Sequence, residues 1–230
     1  MPPVPRNPPD RRAPASPPVP RSPRADGGAP GEIRLIGGRW KRTRLPVLAE
    51  PGLRPTPDRV RETLFNWLGQ DLSGWRVLDA FAGTGALGFE AASRGAVEVV
   101  LLEQAPRAAA QLQQAAARLG ATMVAVHRTD ALGWMAGARA GQFDLVLLDP
   151  PFGADLFERA LKAATRLLGE GGWLYLEADR AFDESTLAAH GLRLHRHGRA
   201  GMVHYHLLQM HLAGEPACPD DTMSPPRSSS

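Results

Sequence analysis

Two short stretches of this chain hold residue types that can do chemistry together: Asp79-Ala80-Phe81-Ala82-Gly83-Thr84-Gly85, and further on Asp149-Pro150-Pro151-Phe152. In the second, the Asp149 carboxylate and the Pro150 carbonyl can accept both protons of a ring amine. Held that way, a nitrogen whose lone pair is delocalised becomes more pyramidal, and its lone pair can be aimed at an electrophile. Pro150 and Pro151 cannot donate to a ladder or continue a helix, so they stiffen the turn and fix the direction of that carbonyl. Phe152 offers a face on which a flipped nucleic-acid base can stack. Proximity and electrostatics carry such a reaction without a nucleophilic side chain. Taken alone, the same four residues also fit a strand-end turn with no chemistry.

The first stretch opens two readings. Gly83, Gly85 and Gly88 spell G-x-G-x-x-G, and Glu103 lies twenty residues beyond Gly83, as in a dinucleotide-binding fingerprint. An oxidoreductase is therefore one candidate. Asp79 argues against it, because a pyrophosphate at the end of that strand would meet a negative charge. A cofactor carrying an ammonium group suits Asp79 better, and Phe81 and Ala82 widen the turn beyond the dinucleotide type. Glu103 and Asp130 each close an apolar run and can either hold a ligand or cap the helix that follows.

These residues need a scaffold that brings distant segments to one edge. From Arg76 onward, apolar runs predict strands at 76–80, 97–102, 122–127, 143–148, 172–177, 192–197 and 203–211. Helical patterns fall at 85–94, 106–119, 131–139, 154–168 and 183–189. The nearly continuous apolar run 143–148 predicts a parallel strand covered on both faces. Regular alternation predicts an α/β, doubly wound sheet of seven strands, with ligands at the C-terminal strand ends. The connection 198–202 is too short for a parallel crossover, so the last strand must return antiparallel as a hairpin. Upstream, Thr56 as N-cap, Pro57 at the first helical position and Asp58 in the first turn predict a helix. Val60, Leu64, Trp67 and Leu68 form its apolar stripe, and Gly69 ends it. Residues 32–48 alternate weakly and predict a small basic β-hairpin.

Composition sets the boundaries. Of 230 residues, the Pro/Arg-rich 1–30 and the Pro/Ser-rich 213–230 hold little to bury and are predicted to be disordered, leaving one domain at 31–212. Residues 1–61 hold 13 Arg and Lys against 5 Asp and Glu, a balance of +8; the remainder holds 14 against 19, or −5. That polarity suits a polyanion docking on one side, although a basic solubilising tail also produces it. The single cysteine, Cys218, excludes an intramolecular disulfide and points to the cytoplasm. Neither a secretory signal nor a membrane-spanning apolar run is present.

With these residues set out, a resemblance emerges. Asp79 to Gly85 resembles the cofactor loop of Rossmann-like class I methyltransferases, and Asp149-Pro150-Pro151-Phe152 the Asn/Asp-Pro-Pro-aromatic signature of amino-group methyltransferases. Several groups share that signature, among them DNA adenine and protein glutamine methyltransferases. The upstream segments Ile33-Arg34-Leu35-Ile36-Gly37-Gly38-Arg39-Trp40-Lys41 and Leu53 to Leu68 resemble the bacterial 16S ribosomal RNA guanine-N2 methyltransferases. The resemblance covers 31–212 and departs from the family in both tails and in the His-rich final strands.

The resemblance implies S-adenosylmethionine as cofactor, with its methionine half cradled by Asp79, Phe81, Ala82, Gly83, Thr84 and Gly85. It implies Glu103 on the ribose, Asp130 near the adenine amino group, and Arg54 and Thr56 positioning cofactor or base. Arg34, Arg39, Lys41, Arg42 and Arg44 would contact RNA phosphates; a solvated charged hairpin is the plainer alternative. Asp149, Pro150, Pro151 and Phe152 would be catalytic, and the partner a small ribosomal subunit bound by a monomer. N6 of adenine in DNA or RNA is the alternative target, and an idle RNA-binding factor on the same fold the alternative class. His195 and His197, then His204 and His206, alternate on the last strands. They are expected on one face of each, as solvent-facing or RNA-contacting residues rather than metal ligands.

Overall fold

The computed structural model describes residues 31–47, 56–150 and 154–211, with the backbone alone for Ala154 and Asp155. The tails predicted to be disordered, and the positions Arg54, Pro151 and Phe152, lie outside the described residues.

Seven strands form one sheet: β3 (Arg76–Asp79), β4 (Glu98–Glu103), β5 (Val124–Arg128), β6 (Phe143–Leu148), β7 (Leu168–Ala178), β8 (Leu192–Ala200) and β9 (Val203–Met210). Their order is β5-β4-β3-β6-β7-β9-β8. β5, β4, β3, β6 and β7 pair in parallel, and β9 inserts antiparallel between β7 and β8. The predicted doubly wound sheet with an antiparallel hairpin is thus the sheet found.

Strand parity builds the two cores. Val77, Val99, Leu101, Leu145, Leu147 and Tyr175 face one side. There they meet α1 (Asp58–Trp67), α2 (Ala86–Ser93) and α3 (Pro106–Leu119). Leu78, Val100, Leu102, Val146, Leu148 and Leu176 face the other side, under α4 (Ala131–Gly137), α5 (Ala154–Leu167) and α6 (Glu184–Ala188). β6 is buried on both faces, and each such Leu or Val contributes about 1.5–3 kcal/mol. Its one charged residue, Asp144, takes Arg76 at 3.1 and 3.2 Å. No helix among the described residues is long and apolar enough to cross a membrane.

Several local expectations need correction. Thr56 does not cap α1: Pro57 holds the N-cap position without a side-chain bond, and the Thr56 hydroxyl turns instead to Glu177. Strand β7 starts at Leu168 rather than 172. The Gly-rich 169–172 carries no strand pattern in its side chains, yet Leu168 pairs with Phe143 ahead of a register shift. Strand β8 likewise runs on to Ala200, where Gly198 leaves room for the Tyr205 ring lying across it.

The histidines depart from their expected arrangement. The register of β8 shifts between Leu194 and Arg196, and a bulged residue breaks the alternation. His195 therefore packs edge-on to Trp173 on one face, whereas His197 stacks on His204 and His206 on the other. His206 is fully buried; its Nδ1 meets the Leu176 carbonyl at 3.4 Å, and its Nε2 has no hydrogen-bond partner among the described residues. Burial first, then His197, push its pKa down to about 4.

In the unfolded chain His206 titrates near 6.5, so between roughly pH 6.5 and 4 the unfolded state binds a proton that the folded state refuses. Stability at this site is complete above that window and falls as pH drops through it, by up to ~1.4 kcal/mol per unit. His206→Phe is expected to remove that slope at a modest cost at pH 7.5, because only the long 3.4 Å contact of Nδ1 with the Leu176 carbonyl is forfeited. Denaturant titrations from pH 4.5 to 7.5 test this; equal slopes in both proteins would refute it.

Candidate active site

The sheet order reverses between β3 and β6, since the chain leaves β3 toward β4 on one side and reaches β6 on the other. At such a switch point the C-terminal strand ends open a crevice. Four acidic residues stand along this edge: Glu103 ending β4, Asp79 ending β3, Asp149 just after β6, and Glu177 near the end of β7. Register places them close together. Asp79 pairs with Leu101 and with Leu147, and Leu148 with Leu176, so Asp149 and Glu177 occupy the next rung.

The turn after β3 is built to hold its shape. Gly85 has φ +76 and is the N-cap of α2; a Cβ there would lie 2.5 Å from Leu112 Cδ2. Glu103 latches this turn, its Oε2 accepting from Gly83 N–H at 2.9 Å and its Oε1 from Ala105 N–H at 2.7 Å. Asp79 Oδ2 accepts from Gly88 N–H at 3.0 Å. Phe81, Ala82, Gly83 and Thr84 line the turn between these two acids, with Ala82 buried and the other three partly exposed.

Electrostatics sets this edge apart from an ordinary turn. Burial raises the Asp79 pKa to about 7, with the Gly88 and Phe81 amides opposing and Glu103 and Glu177 adding repulsion. Asp149 is also raised to about 7, by burial and then by Glu177 and Asp79. Glu177 is raised by burial, against the hydroxyls of Tyr175 (2.8 Å) and Thr56 (3.3 Å) that donate to its Oε1. No cation among the described residues forms an ion pair with Asp79, Asp149 or Glu177. Such a cluster favours a positively charged ligand and opposes a pyrophosphate.

The structure brings Asp79, Phe81, Ala82, Gly83, Thr84, Gly85, Glu103, Asp149, Pro150 and, through Glu177, Thr56 to this edge. Asp130 lies apart from the acidic cluster: it is exposed and caps α4, accepting from Gly133 N–H at 2.6 Å. Arg54, Pro151 and Phe152 fall outside the described residues. Glu177 escapes a reading of the sequence alone; its one signal there is an acid ending the apolar run Leu174-Tyr175-Leu176.

The predicted basic hairpin forms as β1 (Glu32–Arg34) and β2 (Arg44–Pro46), with Ile33 and Leu45 turned into the core. Arg34, Arg39, Lys41, Arg42 and Arg44 are all exposed. Arg34 meets Asp58 at 3.4 Å and Arg44 meets Glu32 at 3.0 Å. Arg39 lies beside the Trp40 ring.

The hairpin is fastened by charges that the sequence alone does not single out. Fully buried Glu90 accepts from the amides of Ile36 (2.8 Å) and Gly37 (2.7 Å) and pairs with Arg61 and Arg94. Arg61, also fully buried, donates to the Arg34 carbonyl at 3.0 Å and to Asp58 at 2.6 Å. Gly38, at φ +71, lies so close that a Cβ would come within 1.8 Å of the Ser93 carbonyl oxygen.

A parallel sheet with one antiparallel strand inserted next to last, and an acid-lined crevice at its switch point, define a class I methyltransferase fold. Comparison with known proteins agrees. Residues 33–209 match the family described as Conserved hypothetical protein 95, and the chain belongs to that family.

Over 191 residues it is 41% identical to the Ribosomal RNA small subunit methyltransferase D of Escherichia coli (strain K12), spanning 80% of this chain and 93% of that one. The protein of the same name from Haemophilus influenzae is 39% identical over 190 residues, spanning 79% and 95%. A solved structure described as a putative methyltransferase, yhhF, from Escherichia coli superposes with a TM-score of 0.68 at 34% identity, covering 79% of this chain and 99% of that one.

Proposed function

We propose that this chain transfers a methyl group from S-adenosylmethionine to the exocyclic N2 of a guanine in small-subunit (16S) ribosomal RNA. The observation that carries the proposal is the uncompensated carboxylate cluster of Asp79, Asp149 and Glu177 beside the latched glycine turn. When bound, S-adenosylmethionine supplies an activated methyl on a cationic sulfonium, and its second cation is an ammonium. Both charges suit this edge, whereas a dinucleotide pyrophosphate would face repulsion from these carboxylates. The names of the relatives supply the substrate class, ribosomal RNA of the small subunit.

Each group in the chain then has a definite task. Asp79 and the turn from Phe81 to Gly85 hold the methionine half of the cofactor. Glu103 spends one lone pair of each oxygen on an amide and has others to offer the ribose hydroxyls. Asp130 reaches toward the adenine while still capping α4. Asp149 and the Pro150 carbonyl accept the protons of the target amine; Asp149 takes no hydrogen bond from the described residues and has that capacity unspent. Pro151 stiffens the turn, Phe152 stacks on the base, and Arg54 and Thr56 position cofactor and target. The enzyme works as a monomer in the cytoplasm, where small subunits are assembled.

The test is incubation with methyl-labelled S-adenosylmethionine and small ribosomal subunits lacking the modification, followed by nucleoside analysis. Label in N2-methylguanosine is expected. Label in N6-methyladenosine would move the target, and absence of transfer with the cofactor bound would overturn the proposal.

The basic hairpin gives a second prediction. Lys41 and Arg42 form no ion pair among the described residues, so their charge is available to phosphate. Substituting Arg39, Lys41 and Arg42 together by alanine is expected to weaken RNA binding uniformly across sequences. The slope of log affinity against log salt should flatten by about 0.7–0.9 for each phosphate the variant leaves unneutralised. An unchanged slope would mean that the hairpin is merely solvated.

A further inference from the structure

Glu177 is the one member of the acidic edge with no task in the transfer chemistry. Its carboxylate is nearly buried, and both hydrogen bonds it receives, from Thr56 and Tyr175, arrive at Oε1. No donor among the described residues meets Oε2. Tyr175, Glu177 and Asp149 share one strand parity. Leu148 pairs with Leu176 on strands about 4.8 Å apart, so Asp149 and Glu177 follow side by side, close enough that, after burial, Glu177 does most to raise the Asp149 pKa.

We propose that Glu177 is the specificity residue for guanine, its Oε2 accepting the ring N1–H while Asp149 takes the neighbouring amine. The inference rests on the guanine-N2 reading above. Guanine presents N1–H and the 2-amino group side by side, two donors facing two carboxylates held side by side. Adenine presents a lone pair at N1, which a carboxylate repels, so the same pair of acids that grips guanine rejects adenine. The hydroxyls of Thr56 and Tyr175 hold the side chain by its other oxygen and keep Oε2 presented. Glu177 thus positions and selects, and the transfer itself stays with Asp149.

The experiment compares wild type with Glu177→Gln on small subunits reconstituted with either guanine or 2-aminopurine at the nucleotide that wild type methylates. 2-Aminopurine keeps the amino group but has a lone pair in place of N1–H. Wild type is expected to prefer guanine by on the order of 10⁴-fold in kcat/KM, the scale on which a site built for a donor rejects an analogue without it. Glutamine can turn its NH2 toward that lone pair, so the preference should shrink at least ~10-fold while cofactor Kd stays within about threefold. Thr56→Val, which removes one support of Oε1, should shift the ratio in the same direction by less; it carries the comparison if Glu177→Gln does not fold.

An unmoved ratio overturns the proposal. So does a large loss of cofactor affinity with the ratio intact, which would make Glu177 an anchor for the cofactor ammonium. A wild-type enzyme that labels guanine and 2-aminopurine alike sinks this inference alone. One that labels no guanine removes the guanine-N2 reading along with it.

Discussion

Asp149→Ala is expected to cut methyl transfer by at least ~10²–10³-fold, while S-adenosylmethionine affinity stays within a few fold of wild type. The magnitude is that of removing one preorganised polar group from a reacting centre. The split between the two readouts follows from geometry. Asp79 and Glu103 stand at the glycine turn on β3 and β4, whereas Asp149 stands beyond β6, on the side of the crevice where β7 brings Glu177. Single-turnover rates and equilibrium binding measured on the same protein separate these effects. Near-normal turnover in the variant would end the catalytic assignment.

The same carboxylate predicts a pH profile. Asp149 must be ionised to accept the amine protons, and burial with its acidic neighbours raises its pKa to about 7. Wild-type kcat/KM should therefore fall as pH drops below about 7, approaching tenfold per unit, and level off above it. Cationic cofactor bound nearby stabilises the ionised form, so under saturation the midpoint should move to lower pH. A flat profile down to pH 5.5 would show that the acid does not titrate as the cluster requires.

What the sequence made legible follows from the range of the forces involved. β3 and β6 were readable because burial on both faces leaves an almost continuous apolar run, a local signature. Asp79 and Asp149 were readable because each sits where a run stops against glycine or proline. Glu177 has no such punctuation; it matters because β7 lies beside β6, and pairing between strands is not written in either one. The bulge near His195 is likewise a property of register, so strict alternation placed His195 and His197 on the same face when they lie on opposite ones. Thr56 carried a true local preference for capping, which the neighbouring Glu177 carboxylate outcompeted.

Arg61 and Glu90 are the sharpest case, since charged residues on helices ordinarily read as solvent-facing. Here both are fully buried, because the hairpin folds over α1 and α2 and closes them in. Glu90→Ala would leave the Arg61 guanidinium with the half-exposed Asp58 as its one acidic partner among the described residues. It would also strip the Ile36 and Gly37 amides of their acceptor.

Breaking a buried pair from one side costs about 3–5 kcal/mol, which for a domain of this size lowers Tm by roughly 10 °C. Arg44→Ala breaks an exposed pair with Glu32 on the same hairpin and should cost no more than about 1 kcal/mol. The contrast between the two variants, read by denaturant unfolding, separates a buried fastening from a surface pair. Because the hairpin carries the cationic face, Glu90→Ala should also weaken RNA binding at temperatures where the sheet remains folded, with cofactor affinity less affected. A destabilisation under about 1 kcal/mol would mean that the hairpin stays docked on its apolar residues Ile33, Leu35, Trp40 and Leu45 alone.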